Sequence, residues 1–205
     1  MIEYKGLVIN TSERVYAPSD DSFLAAKAIE RIIARFSCTK VLDMGTGTGF
    51  LGIAAASCMK IGEVHFADIN GDAVALARNN FSLNRDNFKK IRGKFINTDL
   101  FSRIGGKFDF IMFNAPYLRS EDGDAANCIS LAWNGGMTGI ELSVRFLEKA
   151  KYHVRKRGHV LLVASSLSDI SGLKKAIRSL GYTINERSKV HIFFEDIVCF
   201  VLSPA

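Results

Sequence analysis

The stretch Asp43-Met44-Gly45-Thr46-Gly47-Thr48-Gly49-Phe50-Leu51-Gly52 carries two overlapping glycine signatures, each a way of bringing bare backbone up to a cofactor. Read from Gly47 it fits G-x-G-x-x-G, the pyrophosphate-binding turn of a dinucleotide fold. Read from Asp43 it is D-x-G-x-G-x-G, an acid at a strand end followed by three alternating glycines. The strand Lys40 to Asp43 is only about four residues long, so the turn starts at Met44 or Gly45, which favours the second register. A glycine-rich turn that merely closes a buried strand has the same letters. A second acid, Asp68, stands nineteen residues after Gly49. Its two oxygens suit a ribose diol, which either kind of cofactor requires. A third polar group, Asn114-Ala115-Pro116-Tyr117, ends the apolar run Phe108 to Phe113. Strand ends of open α/β sheets line the ligand crevice, so this turn belongs beside the cofactor.

These residues need a scaffold of short apolar strands alternating with helical segments, the pattern of a parallel sheet covered on both faces. Strands are expected at about 40–44, 63–68, 94–98, 108–113 and 158–164, and helices at about 20–36, 50–59, 70–84, 138–156 and 168–180. Pro18 and Ser19 precede the first helix, with Asp20 or Asp21 as its N-cap. The segments 183–188 and 192–202 read as two strands joined by a short turn, which must pair antiparallel. A mostly parallel seven-stranded α/β sheet with one antiparallel strand and helices on both faces resembles the class I S-adenosylmethionine (SAM) methyltransferases, a Rossmann-like fold. An NAD-dependent dehydrogenase explains neither the antiparallel finish nor the Asn114 turn. The resemblance implies SAM as cofactor, with Gly45, Gly47 and Gly49 against its amino-acid tail and Asp43 on its ammonium side, directly or through water. Asp68 would take the ribose diol, Asp99 the adenine amino group, and Ile69 and Leu100 the two faces of the adenine ring.

Asn114-Ala115-Pro116-Tyr117 is similar to the Asn-Pro-Pro-Tyr motif of methyltransferases that modify planar amino groups, the amide nitrogen of glutamine or the exocyclic nitrogen of adenine. Such a nitrogen has its lone pair delocalised and attacks a sulfonium methyl poorly. Two acceptors, the Asn114 side-chain oxygen and the Ala115 carbonyl, would hold both N–H groups and aim the lone pair, favouring transfer by proximity. Tyr117 would stack on the flat group. Alanine at 115 keeps the carbonyl and loses the proline ring's hold on the backbone before it. Val15-Tyr16-Ala17-Pro18-Ser19-Asp20-Asp21-Ser22-Phe23-Leu24 resembles the N-terminal segment of the archaeal and eukaryotic HemK-like glutamine methyltransferases. This places Asp21 and Ser22 at the cofactor's methionine end. Ala132-Trp133-Asn134-Gly135-Gly136-Met137-Thr138-Gly139 is similar to that family's loop before its fourth major helix, with Trp133 as a wall of the substrate pocket.

The HemK resemblance, spanning about residues 14 to 165, implies methylation of glutamine in the Gly-Gly-Gln tripeptide of a translation release factor. It also implies a small zinc-binding activator subunit, added at an exposed edge such as Lys94-Phe95-Ile96-Asn97 by strand addition. Two other readings fit the motifs: an adenine-N6 methyltransferase acting on RNA or DNA, and a non-catalytic scaffold that keeps the fold to assemble a partner. A target-reading domain for DNA finds no room in the chain.

The chain has 205 residues, 48% hydrophobic, and a formal charge of +6. That size suits one domain over 1–205, with a cofactor-covering segment and helix over about 1–37 and the core over about 38–205. The charge permits an acidic partner without requiring nucleic acid. Cysteines at 38, 58, 128 and 199 form no C-x-x-C, and the four histidines show no paired helical spacing, so no metal site or disulfide framework is expected. With neither a signal core nor a run of membrane-spanning length, the expectation is a soluble, cytoplasmic protein with no membrane contact.

Overall fold

The computed structural model describes residues 1–58, 60–88, 90–117 and 137–205. Two short strands, β1 (Ile2–Tyr4) and β2 (Leu7–Ile9), form a small antiparallel sheet of their own. The main sheet is built from β3 (Lys40–Met44), β4 (Glu63–Asp68), β5 (Arg92–Asn97), β6 (Phe108–Asn114), β7 (Val154–Ser165), β8 (Tyr182–Ile192) and β9 (Glu195–Pro204). Their order is β5-β4-β3-β6-β7-β9-β8, with β9 antiparallel to both neighbours and the other ladders parallel. The mostly parallel sheet with one antiparallel strand expected from the sequence is the one observed.

The central strands are apolar almost throughout because helices cover both faces. Alternation along each strand assigns the sides. Val41, Phe66, Phe110 and Leu161 pack with α1 (Asp20–Arg35), α2 (Phe50–Ser57) and α3 (Gly71–Leu83). Leu42, Ala67, Ile111 and Leu162 pack with α4 (Glu141–His153) and α5 (Ile170–Ser179). The chain leaves β3 towards β4 and β5, then returns to β6 on the other side. The C-terminal ends of β3 and β6 are therefore neighbours where the strand order reverses, the place such sheets bind ligands. Met44 pairs with Phe113 there, which sets Gly45 beside Asn114.

Some boundaries differ from expectation. The strand expected at 94–98 is Arg92–Asn97, and α1 takes Ser19, not an aspartate, as its N-cap. The helix expected to 156 stops at His153, where Val154 turns extended (φ −86°, ψ 140°) and begins β7. Arg155, Lys156 and Arg157 are thus exposed strand residues and not a solvated helix end, and Arg155 donates to Asp109 at 2.6 Å.

The β1–β2 sheet is held on α3 by two asparagines one turn apart. Asn80, fully buried, donates to the Asn10 carbonyl at 3.0 Å and to the Thr48 carbonyl at 2.9 Å, and accepts from the Asn10 amide at 2.9 Å. Asn84 accepts from the Val8 amide and donates to the Val8 carbonyl, at 2.9 and 2.7 Å. The two side chains act as a surrogate strand, satisfying backbone groups that burial would otherwise leave unpaired. Among the described residues, no helix is long and apolar enough to cross a membrane.

Candidate active site

A cleft of about 430 Å³ opens at the ends of β3 and β6, lined from the glycine turn, the strand-end acids, the Asn114 turn and α4. Gly45, Gly47 and Gly49 all hold positive φ, at 60°, 53° and 84°. At Gly49, the left-handed N-cap of α2, a Cβ would also lie 3.0 Å from Ala77, so glycine alone allows the turn and the close approach of α3. Asp43 is 1% exposed and fixes this turn from below, its Oδ2 accepting from Thr46 Oγ1 at 2.6 Å and from the Gly52 amide at 2.9 Å. It lines the cleft, but that oxygen is committed to the turn and not to a ligand.

Burial raises the Asp43 carboxyl to about 7 against the bonds from Thr46 and Gly52, with the Asp68 charge pushing the same way as burial. A folded-state value above the unfolded 3.8 means the charged form is disfavoured by folding, so stability falls as pH rises from about 4 to about 7. Asp43→Asn should flatten the wild-type decline between pH 5 and 8. Denaturant titrations at the two pH values test this, and equal slopes in both proteins would refute it.

Asp68 ends β4 with Oδ2 accepting from the Gly47 amide and Oδ1 from the Asn70 amide, each at 2.9 Å. Each oxygen keeps lone-pair capacity for the cleft, as a diol partner must. Burial nevertheless raises its pKa. Ile69 and Leu100 line the cleft too, Ile69 57% exposed and Leu100 buried with a positive φ of 45°. That backbone is unusual for leucine and is held by Thr98, whose hydroxyl donates to the Leu100 carbonyl and accepts from the Arg103 amide. Asp99 is at the rim, 3.8 Å from Arg145 of α4 with both side chains more than half exposed, a geometry worth under about 1 kcal/mol.

Asn114 is the focus of the site. Its Nδ2 donates to Asp21 Oδ2 at 3.0 Å and to Ser22 Oγ at 3.4 Å. The opposite amide orientation would set oxygen against a carboxylate, so Asp21 fixes which way the amide points. Asn114 Oδ1 is buried, and no donor among the described residues reaches it. A buried acceptor without a partner costs about 1–3 kcal/mol, so this oxygen has hydrogen-bonding capacity that no described residue uses.

Asp21 is 3% exposed and gathers further bonds. Tyr117 Oη donates to it at 3.2 Å, Tyr16 Oη at 3.3 Å, and Ser22 Oγ at 2.9 Å. Burial first, then the Asp21 charge, raises both phenols well above the usual tyrosine range, keeping them as protonated donors. This alters the expectation for Tyr117. Tyr117 is 9% exposed and its hydroxyl buttresses Asp21, so it supports the Asn114 amide from behind. Ser22 and Pro116 line the cleft, while Ala115 is buried beside it. Trp133 lies outside the described residues. Tyr16 and Arg145 were not singled out in the sequence. Tyr16 belongs to the Val15–Leu24 segment, whereas Arg145 carries no local signal.

The profile of the methyltransferase small domain matches residues 24–193. The chain belongs to the methyltransferase small domain family. Its relatives are of the HemK-like kind. A Methanocaldococcus jannaschii chain provisionally named a protein N5-glutamine methyltransferase is 33% identical over 201 residues, 97% of this chain and 96% of its own. The catalytic subunit of the eRF1 methyltransferase of Schizosaccharomyces pombe is 27% identical, covering 85% of this chain and 83% of its own. In structure, the methyltransferase resembles the Mtq2–Trm112 complex of E. cuniculi, described as methylating the eRF1 termination factor. That match has a TM-score of 0.68 and 21% identity, covering 94% of this chain and 99% of the other. The fold is that of class I SAM methyltransferases.

Proposed function

We propose that this methyltransferase transfers a methyl group from SAM to the side-chain amide nitrogen of glutamine in a translation release factor, within Gly-Gly-Gln. The observation that carries the reading is Asn114 Oδ1, a buried acceptor with a fixed direction and no partner among the described residues. Planar amides have two N–H groups to give and a nitrogen that needs orienting. The relatives named for glutamine methylation supply the substrate class.

The residues fit SAM. Asp68 offers remaining lone pairs for a ribose, the glycine turn admits a flexible amino-acid tail, and Ile69 with Leu100 gives apolar faces beside Asp99 for an adenine. When bound, SAM supplies an electrophilic methyl on a sulfonium. Asn114 accepts one amide N–H and the Ala115 carbonyl the other, which turns the nitrogen's π face towards the cleft. The Asp21 network keeps that acceptor from rotating; as the N–C bond forms, the methyl's bond to sulfur would break with its electron pair left on sulfur, and one amide proton would pass to water.

Methyl transfer from labelled SAM tests the reading on an intact release factor, on its Gln→Ala variant and on a structured RNA. Label on the intact factor alone supports it. Label on RNA alone, lost steeply with salt, would establish the adenine reading instead.

The small activator subunit belongs to the same proposal, seated on β5 at the sheet edge. Arg92 and Thr98 donate their amides to Gly62 and Asp68 of the β4 side, so alternation leaves the amides of Gly93, Phe95 and Asn97 facing outward. The Phe95 side chain is unsuited as a probe, because it stacks on Phe66 at 4.9 Å and its loss would disturb the core. Hydrogen exchange should slow at Phe95 and Asn97 on adding a Trm112-type subunit, while unchanged exchange would place the subunit elsewhere.

A further inference from the structure

The turn between β8 and β9 consists of Phe193 and Phe194, 87% and 96% exposed. Phe193 holds φ at 51° and Phe194 does not share that sign, the pattern of a type II′ hairpin turn, which favours glycine first. A bulky aromatic there costs about 1–2 kcal/mol in backbone strain. Its ring gains nothing from burial in return. A local choice that opposes the fold is explained by function.

The place of the tip is fixed by register. Asn114, Val163, Cys199 and Ser188 form one row across β6, β7, β9 and β8. Phe194 stands five residues beyond that row on β9, towards the cleft end, which at about 3.3 Å per residue is roughly 16 Å. Two strand spacings add about 10 Å sideways, so the tip stands roughly 20 Å from Asn114. The stem below it is anchored. Ser165 donates to Glu195, while the Ser166 amide donates to the Asp196 carbonyl at 2.9 Å and Ser166 Oγ accepts from the Asp196 amide at 2.8 Å. Ile197, two residues beyond Glu195, shares one core cluster with Tyr117, so the stem is tied to the core beneath the Asp21 cluster. Leu167, 48% exposed, flanks the same anchor.

We infer that Phe193 and Phe194 are a docking anchor for the folded body of the protein substrate, outside the peptide that enters the cleft. This rests on the glutamine reading above. The tip stands at the cleft end of the sheet, outside the cleft itself, is anchored at its stem and is aromatic, the properties of an interface hot spot with little side-chain freedom to lose. The Lys189 ammonium beside it is 2.9 Å from Asp196 and His191 lies against the same carboxylate, so the stem offers little free positive charge, which favours a protein face over a phosphate backbone.

The test is the double variant Phe193→Gly with Phe194→Ser, which supplies residues suited to the turn and so preserves the hairpin. With the intact release factor, KM should rise about tenfold or more, with kcat at saturation and SAM affinity unchanged and the melting temperature equal or higher. An unchanged KM overturns the inference, as does a fall in kcat at constant KM. A wild-type dimer that the variant abolishes in sedimentation would reassign the tip to a second copy and overturn it as well. All assays include a Trm112-type subunit; if the wild type so supplied labels no release factor, the glutamine reading fails first, visibly before any variant is compared, and takes this inference with it.

Discussion

Asn114→Ala should lower kcat by about 10²–10³-fold while leaving SAM affinity within a few-fold of wild type, because it removes one pre-aimed hydrogen-bond acceptor from the reacting group. The affinity should hold because the groups placed for the cofactor, Asp68 and the glycine turn, are fixed by bonds that do not involve Asn114. Steady-state methyl transfer and calorimetry with SAM separate the two effects. Loss of SAM binding in step with activity would assign Asn114 to the cofactor and not to the acceptor amide. Asn114→Asp is the sharper control, since it keeps an acceptor in place. Its carboxylate would stand about where Nδ2 now meets Asp21 at 3.0 Å, and two like charges at that range cannot both persist. It should be as inactive as alanine.

The second large effect is expected at Asp21, which lies behind Asn114 and does not itself line the cleft. Asp21→Asn preserves volume but replaces an acceptor-only group with one that also donates. The Asn114 amide can then turn over to accept from residue 21, presenting N–H to the cleft where the substrate also presents N–H. Activity should fall about 10²-fold. Stability should fall by about 1–3 kcal/mol, because one of the buried donors on Tyr16, Tyr117 or Asn114 loses its acceptor. Transfer rates and melting curves measure both. Activity within threefold of wild type would show that Asn114 is aimed by something other than Asp21.

Much of this was legible before any coordinates. The glycine turn, Asp68, Asp99 and the Asn114 turn all read out in order because each sits at the end of a short apolar strand, and strand ends are written locally. The closing antiparallel pair was legible for the same reason, from two runs joined too closely to run parallel. What the sequence hid was contact across distance. The bond from Asp21 to Asn114 spans 93 residues and that to Tyr117 spans 96, so no local pattern says that the tyrosine hydroxyl turns back to the acid. The β1–β2 sheet escaped because three-residue strands carry too little alternation to register, and they owe their place to α3. The overrun of α4 has a different cause. The basic run after it suits a helix C-terminus as well as an exposed strand, and only the Arg155–Asp109 pairing chooses between them.

Asn80 bears on the order in which the molecule is completed. One side chain grips both the N-terminal arm at Asn10 and the cofactor turn at Thr48. Two three-residue strands are too short to stand alone, so the arm has nothing to dock on until α3 has formed about seventy residues downstream. The arm is therefore among the last pieces to settle, although the asparagine that receives it also holds the cofactor turn.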